Sequence, residues 1–359
     1  MSVRSALLNT LHGTKLHRLV PPGTFGLGAV LMLHHVRPEP DEPFLPNKGL
    51  SVTPEFLDEV LTYLTRRGFE IVDLDTVAAR LSHPDSASDR PFVALTLDDG
   101  YRNNRDYALP VFEKHAAPHT IYVASDLTDG VGCLWWELLE RALQRSTSLA
   151  LPAELGSETV PVETHDEKQR AFMRVLRRIE VMHPYDVRAL MQPIADQAEI
   201  DIDALCRELV MDWDEIAVHA AHPLVGIGGH TMSHPRLTGL SDEDVVREID
   251  GGLDSIAAKL GTRPRHFAYP YGSALSASDR EFNIAAQCRL TTAVTTRKGL
   301  VTRRCAASMT ALPRIPLNGH FQDLKTVELL LSGIPTGLMQ SASAIRDLAA
   351  RGFRSFAVR

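Results

Sequence analysis

From Ala29 onward the chain alternates short apolar runs with amphipathic segments at helical spacing, and this alternation restricts the fold more than any other feature. "AVLML" reads as a strand, "TPEFLDEVLTYLTRRG" as a helix, "FEIV" and "FVALTL" as strands, "PVFEKH" as a helix begun by Pro110, and "TIYVA" as a strand. Thr53 is placed to cap the first helix, Pro54 to occupy its first turn and Gly68 to stop it. The pattern resumes with the strand "LVGIGG", the helix "SDEDVVREIDGGLDSIAAKLG" and the strand "HFAYP". In that helix Ser241 and Asp244 fit a capping box, and Val245, Ile249, Leu253, Ile256 and Leu260 form one apolar stripe closed by Gly261. "TTAVTT" and "ALPRIPL" follow as late strands, with closing helices from about Leu324. Repeated β-then-α units of this kind predict an α/β fold built on a mainly parallel sheet or barrel.

Between Ser125 and Val218 no strand pattern is evident, and the β/α alternation continues on both sides. That stretch is therefore expected to be a helical insertion, residues 125–218, within one catalytic domain spanning residues 29–359. A chain of 359 residues, 44% of them hydrophobic, can bury a large core, although length alone allows either one barrel or two domains. Residues 1–28 are left as an N-terminal arm. Its Leu7, Leu8, Leu11, Leu16 and Leu19 lie at roughly helical spacing, which permits peripheral membrane contact, with packing on the domain the favoured use. Asn9, His12, Lys15 and Arg18 make it too polar for a signal-peptide core, and a cytoplasmic location is expected. Ser82 to Arg90 is the one polar loop long enough to be mobile. With 38 basic against 45 acidic residues and no basic cluster, nucleic acid is excluded as a partner. Cys133, Cys206, Cys288 and Cys305 are too scattered for a zinc knuckle or a compact disulfide framework and read as reduced thiols.

Four stretches carry candidate chemistry. "LTLDDGYRNN" delivers Asp98 and Asp99 to the carboxyl end of a buried strand, where α/β barrels place catalytic groups. Two adjacent carboxylates repel unless a cation or a shared proton intervenes; taken alone, a DDG is more often a turn with a solvated acid. "GGHTMSHPRL" sets His230 and His234 four residues apart, within reach of one metal ion, while Thr231 stands where an HExxH protease has its glutamate. With 15 histidines in the chain such a pair also arises by chance, but a DD and an HxxxH both at strand ends are stronger together. "RHFAYPYG" ends a third strand in an aromatic-proline turn, and "LMLHHV" places His34 and His35 at the end of the first.

Taken in this order, the motifs resemble the polysaccharide deacetylase superfamily, carbohydrate esterase family four, which includes the nodulation chitooligosaccharide deacetylases. "TLDDG" is similar to the family's TFDDG motif with Leu97 in place of phenylalanine, "HTMSH" matches its H-(S/T)-x-x-H motif, and "FAYPYG" corresponds to its R-x-x-P-Y-G-like motif. The resemblance implies a distorted (β/α) barrel. It also implies a metal triad of Asp99, His230 and His234, with Asp98 as general base and the backbone N–H of Tyr101 as oxyanion donor. The implied ion is zinc, with cobalt, nickel or manganese also compatible with this donor set. A +2 ion would let both acids of the DD pair stay ionised.

The family's motif-three arginine is replaced by Ala268, which leaves the orientation of the base without a sequence explanation. The late leucine–histidine motif that supplies a general acid has no clean match, His320 in "LNGHF" being its nearest counterpart. "LHHV" before a helix resembles instead the start of the poly-N-acetylglucosamine deacetylase branch, which implies His34 as the acid. Tyr269, Tyr271, Trp135 and Trp136 are the candidate substrate contacts; adjacent tryptophans on a helix are expected to face different ways. The expected activity is metal-dependent removal of N-acetyl groups from an amino sugar in a glycan, oligosaccharide or glycolipid precursor. Two rivals stand beside it. One is hydrolysis of a non-sugar amide or formamide on the same fold. The other, non-catalytic glycan binding, is disfavoured because all three ligands and the base are present.

Overall fold

The structure, a computed structural model, describes residues 26–83 and 90–334. In chain order its elements begin with β1 (Gly28–Leu33), β2 (His35–Val36), β3 (Ser51–Val52), α1 (Pro54–Arg66), β4 (Glu70–Val72), α2 (Leu74–Ser82), β5 (Phe92–Leu97), α3 (Leu109–Lys114) and β6 (His119–Val123). The insertion contributes α4 (Ser125–Thr128), α5 (Trp135–Arg145), β7 (Ser148–Ala150), β8 (Thr159–Pro161), α6 (His165–Ile179), α7 (Val187–Gln197), α8 (Ile202–Leu209) and α9 (Trp213–Ala220). Then follow β9 (Val225–Gly229), α10 (Asp242–Leu260), β10 (His266–Ala268), α11 (Asp279–Gln287), β11 (Thr292–Lys298), β12 (Leu312–Pro316) and α12 (Leu324–Leu331).

Seven parallel strands close a barrel in the order β1-β5-β6-β9-β10-β11-β12, because β1 pairs with both β5 and β12. The eighth strand, β4, pairs with Phe92 to Ala94 of β5, and β6 takes over from Leu95. This shared edge is the distortion of the barrel. Every residue of β1 and β5 is buried, as strands covered on both faces require. Alternate residues face inward, with Val30, Phe92, Ala94, Tyr122, Val294 and Leu312 filling the barrel. Their neighbours Leu31, Leu33, Val93, Leu95, Leu97 and Ile315 face the helices.

The helices form where their end signals stand. Thr53 accepts the Phe56 N–H at 3.2 Å, and α1 buries Phe56, Leu57, Val60, Leu61 and Leu64 against the barrel. Ser241 caps α10 through the Asp244 N–H, and Gly261 ends it at φ +75°. Leu260 lies only partly buried at the end of the predicted stripe.

The region read as purely helical also holds a small antiparallel sheet, β7 with β8, three residues a side. Its strands are too short and too exposed to show a two-residue period in the sequence. The insertion builds its own core around Leu138, Leu139, Val175, Met191 and Ile194, and reaches the barrel through Phe44 and Tyr101. The four cysteines are free thiols. The arm, most of the Ser82 to Arg90 loop and any helix after residue 334 lie outside the described residues.

At the amino end of the strands His119 stacks on Phe112 at 4.1 Å, with the His219 ring 6.0 Å away. Nε2 of His119 and both ring nitrogens of His219 are buried without a hydrogen-bond partner. Burial pushes the His119 imidazole down to about 3 and that of His219 down to about 4, from 6.5. Both are neutral when folded, so their contribution to stability is whole above pH 6.5 and is lost as the pH falls toward those lower values. Replacing His119 with asparagine removes one such group. The stability of the variant relative to wild type should rise by about 2 kcal/mol between pH 7.5 and pH 5, read from urea unfolding at the two pH values.

Candidate active site at the carboxyl end of the barrel

The register of β1 against β5 pairs Leu33 with Leu97, so the next residues, His34 and Asp98, emerge side by side. The Asp98 N–H bonds the Leu33 carbonyl at 3.0 Å, and His34 Nε2 lies 3.8 Å from Asp98 Oδ2. Asp98 continues the inward-facing series of Phe92, Ala94 and Thr96. Strict alternation would send Asp99 to the opposite side. Instead Asp99 takes φ +72° and Gly100 φ +66°, and this left-handed turn brings both carboxylates to one cavity.

The two histidines arrive on the loop after β9. The His230 N–H bonds the Val123 carbonyl at 2.8 Å, and its Nδ1 donates to the Ala268 carbonyl at 2.6 Å, which leaves Nε2 free. His230 Nε2 and His234 Nε2 each lie 3.3 Å from Asp99 Oδ1, and one ligand atom from each of the three residues falls within 4.8 Å of the others. Asp99 Oδ1 is buried without a conventional hydrogen-bond partner. One carboxylate oxygen and two imidazole nitrogens converging on a point is a donor set that fits zinc or a similar divalent ion.

That loop is held under strain. Thr231 and His234 sit at φ +67° and +59°, and Tyr271 on the facing turn at +60°, so with Asp99 four of the eight non-glycine positive-φ residues in the described chain border this site. Glu248 of α10, 4% exposed, grips the loop by accepting the Met232 and Ser233 N–H groups at 3.1 and 2.9 Å and the Ser233 hydroxyl at 2.7 Å. Gly252 lets the same helix approach, since a Cβ there would lie 2.6 Å from the Thr231 carbonyl oxygen.

The question left by Ala268 is answered on a different strand. Arg314 of β12, fully buried, sends NH1 and NH2 to the two carboxylate oxygens of Asp98 at 2.7 Å each. Two of its other three donors go to Thr96 Oγ1 and the Thr295 carbonyl. Burial pushes the Asp98 carboxyl up, and the charge and hydrogen bonds of Arg314 more than reverse it, holding it below the usual range. For Asp99, burial is outweighed by the two adjacent imidazoles of His230 and His234, which hold its carboxyl well below the usual range. His34 is lowered by burial, with partial opposition from Asp98 and Asp99. Strand phase was the available sign of Arg314, because Leu312, Arg314 and Pro316 share the inward face. Glu248 had a similar one, falling three residues after Val245 on the buried side of its helix.

His34, Asp98, Asp99, His230, His234, Tyr271, Trp135, Trp136 and His320 all border one cavity of about 530 Å³. Trp135 and Trp136 both reach it, contrary to the expectation that they diverge. They occupy the first turn of α5, where Trp135 Nε1 donates to the Tyr271 hydroxyl and Trp136 Nε1 to the Tyr101 hydroxyl, both at 2.9 Å. Tyr269 does not line it: the ring is fully buried between Phe267 and Phe282, with its hydroxyl on the Thr310 carbonyl, so it is a core residue and not a substrate contact. His35 turns away and is spent on Glu137, Asn103 and a 3.6 Å stack against Tyr101. The Gly100 carbonyl accepts from Met211, so the trans peptide aims the Tyr101 N–H the opposite way.

Arg314→Met should leave Asp98 as an unpaired buried charge and cost about 3–5 kcal/mol of stability. Asp98→Leu combined with Arg314→Met should recover most of that loss in a double-mutant cycle followed by denaturant unfolding. Additive losses would mean that the two side chains are not coupled.

A family model described as polysaccharide deacetylase matches residues 169–293, which takes in the second half of the insertion and the histidine loop. Over 67 residues, 19% of this chain, the sequence is 42% identical to chitin deacetylase 1 of Cryptococcus neoformans var. grubii, and the match spans 14% of that protein. The fold is similar to that of the Streptococcus pyogenes deacetylase PplD in complex with acetate, at TM-score 0.56 and 18% identity, over 85% of this chain and 97% of the other. It is similar also to IcaB from Ammonifex degensii, at TM-score 0.54 and 16% identity, over 86% and 97%. Residues 169–293 thus match the polysaccharide deacetylase family, and they are carried on a barrel whose fold is similar to those of PplD and IcaB.

Proposed function

We propose that the protein is a metal-dependent hydrolase that removes N-acetyl groups from an N-acetylated amino sugar. The observation that carries this reading is the convergence of Asp99, His230 and His234 beside the Arg314-held Asp98 in one aromatic-lined cavity. The family match and the names of the similar proteins support it. A divalent ion bound by the triad supplies Lewis acidity and a water of lowered pKa.

The remaining roles belong to the chain. Asp98, fixed by two hydrogen bonds from Arg314, takes the proton of the attacking water. The Tyr101 N–H donates to the oxyanion as the amide carbonyl becomes tetrahedral. An amide nitrogen does not depart as an anion, and His34, beside Asp98 on the rim, donates the proton it needs. Trp135, Trp136 and Tyr271 offer ring faces to a sugar. Among the described residues no arginine or lysine lines this cavity, which favours an uncharged sugar over a small anionic amide held by a cation.

The test is acetate release by the zinc-loaded protein from chitooligosaccharides, poly-N-acetylglucosamine and lipid-linked amino sugars. Asp98→Asn should retain metal and lose about 10²–10⁴-fold in turnover, whereas His230→Ala should lose the metal itself. Equal metal loss in both variants would discard the division of roles. His34→Ala should lower kcat strongly with metal retained, while His320→Ala stays near wild type; the reverse result would move the acid role to His320.

A further inference from the structure

A second cavity, of about 460 Å³, lies against the first and shares Trp135, Leu176, His234 and Tyr271 with it. The hydrogen bond from Trp135 Nε1 to the Tyr271 hydroxyl lies in this shared wall, with the metal triad on one side and the insertion helices on the other. The two cavities differ in chemistry. In the second, Val131, Leu176, Ile179, Val187 and Leu275 give an aliphatic lining, where the first offers indoles, carboxylates and imidazoles.

The polar side chains of the second cavity are largely committed within the protein. Arg188 bonds the Val131 carbonyl and Asp203, and Arg236 bonds Thr238 and the Met182 carbonyl, leaving its buried Nε without a hydrogen-bond partner. Ser233 and Tyr185 both end on Glu248, and Ser273 on Ser276. Asp126 and Glu180 are the two carboxylates at its border. A glycan bound there would find few free donors or acceptors for its hydroxyls. Beside the partly exposed Arg188 and the exposed Glu180, its border carries Val131, Tyr185 and Leu275, which at 54%, 40% and 79% are three of the seven exposed large hydrophobic residues in the described chain. Exposed apolar side chains gathered around an apolar cavity mark a binding site rather than scattered surface.

We infer that this second cavity binds a hydrocarbon portion of the substrate while the amide lies at the Asp99, His230 and His234 site. The inference rests on the proposed amide-hydrolase reading of the first cavity and extends it to amino sugars that carry an alkyl chain. The chain has two chemical sources, a lipid attached to the sugar or an N-acyl group longer than acetyl.

Two series of ligands separate them, each used below its micelle concentration. One is N-acetylglucosamine as its methyl, butyl and octyl glycosides. The other is methyl glucosaminide bearing N-acetyl, N-butanoyl or N-octanoyl groups. Binding is measured by calorimetry on the zinc-loaded full chain carrying Asp98→Asn, which suppresses turnover. In one series Kd should fall about fourfold per added methylene, equivalent to about 0.8 kcal/mol each, and the responding series identifies the source. Val131→Asp with Leu275→Asp should abolish the gain, while Val218→Asp, at an exposed valine elsewhere, should preserve it.

A Kd constant within twofold from the shortest to the longest chain in both series would overturn the inference. So would a gain that survives Val131→Asp with Leu275→Asp, since that is partitioning onto the surface. Acetate release from the methyl glycoside by wild-type protein tests the underlying reading separately. Chain-dependent binding without any release would retain the cavity and discard the deacetylase assignment, and release without chain dependence would do the opposite.

Discussion

The bidentate contact between Arg314 and Asp98 is the constraint around which the carboxyl end of the barrel is arranged. A carboxylate 2% exposed beneath a catalytic rim is not stable as a lone charge, and Arg314 on β12 supplies both the compensating charge and the two donors that fix its orientation. The guanidinium reaches it from inside the barrel because Arg314 and Asp98 both follow the inward phase of their strands. Thr96, one step below Asp98 on the same face, accepts a third donor. With Asp98 neutralised in this way, the negative charge of Asp99 is left facing two imidazoles, which is the charge a divalent ion complements.

The second constraint is conformational. Two consecutive residues of a strand point to opposite faces, so a DD pair that serves one cavity has to break the strand between them. Asp99 and Gly100 do so with positive φ, at a cost of about 1–2 kcal/mol for the non-glycine residue. Thr231, His234 and Tyr271 repeat the device on the neighbouring loops. Such conformations persist only where the surroundings over-determine them, and Glu248 with its three hydrogen bonds to the Met232–Ser233 segment is the restraint visible on the histidine loop. The mid-helix glycine at Gly252 belongs to the same arrangement: a side chain there would push α10 off the loop that Glu248 holds.

Much of this could be read from residue order because the relevant signals are local. Two-sided burial of β1 and β5 produces continuous apolar runs, caps such as Thr53 mark helix starts, and the DD and HxxxH motifs end strands whose tips a parallel barrel gathers at one rim. The residues that escaped notice act across the fold. Arg314 and Asp98 are partners only after β12 and β5 have taken places on either side of β1, a relation with no trace in spacing. Ala268 marked the absence of an arginine without saying where its replacement stood. Tyr269 and Tyr271 look alike in "FAYPYG", yet the left-handed turn at Tyr271 sends one ring into the core and the other to the cavity. For Trp135 and Trp136 the periodic argument failed because a helix's first turn meets its neighbours end-on as well as side-on.

These two constraints also divide labour between the parts of the chain. All members of the triad, together with Asp98, Arg314 and His34, come from barrel strands or the turns just after them, where the closed sheet fixes their separation. The insertion contributes Trp135, Trp136 and Leu176 to the same cavity and most of the aliphatic lining of the next one, but no ionisable group at the triad. It is attached to the rim by His35 on Glu137, Asn47 on Trp136 and Glu140, and Arg102 on Glu215, and the Trp136 ring lies 5.1 Å from that of His234. A substitution in the insertion can therefore reshape what the cavities accept without disturbing the Asp98–Arg314 charge balance. A substitution on the barrel rim has no such freedom, because each carboxylate there is buried and depends on a partner from a different strand or loop.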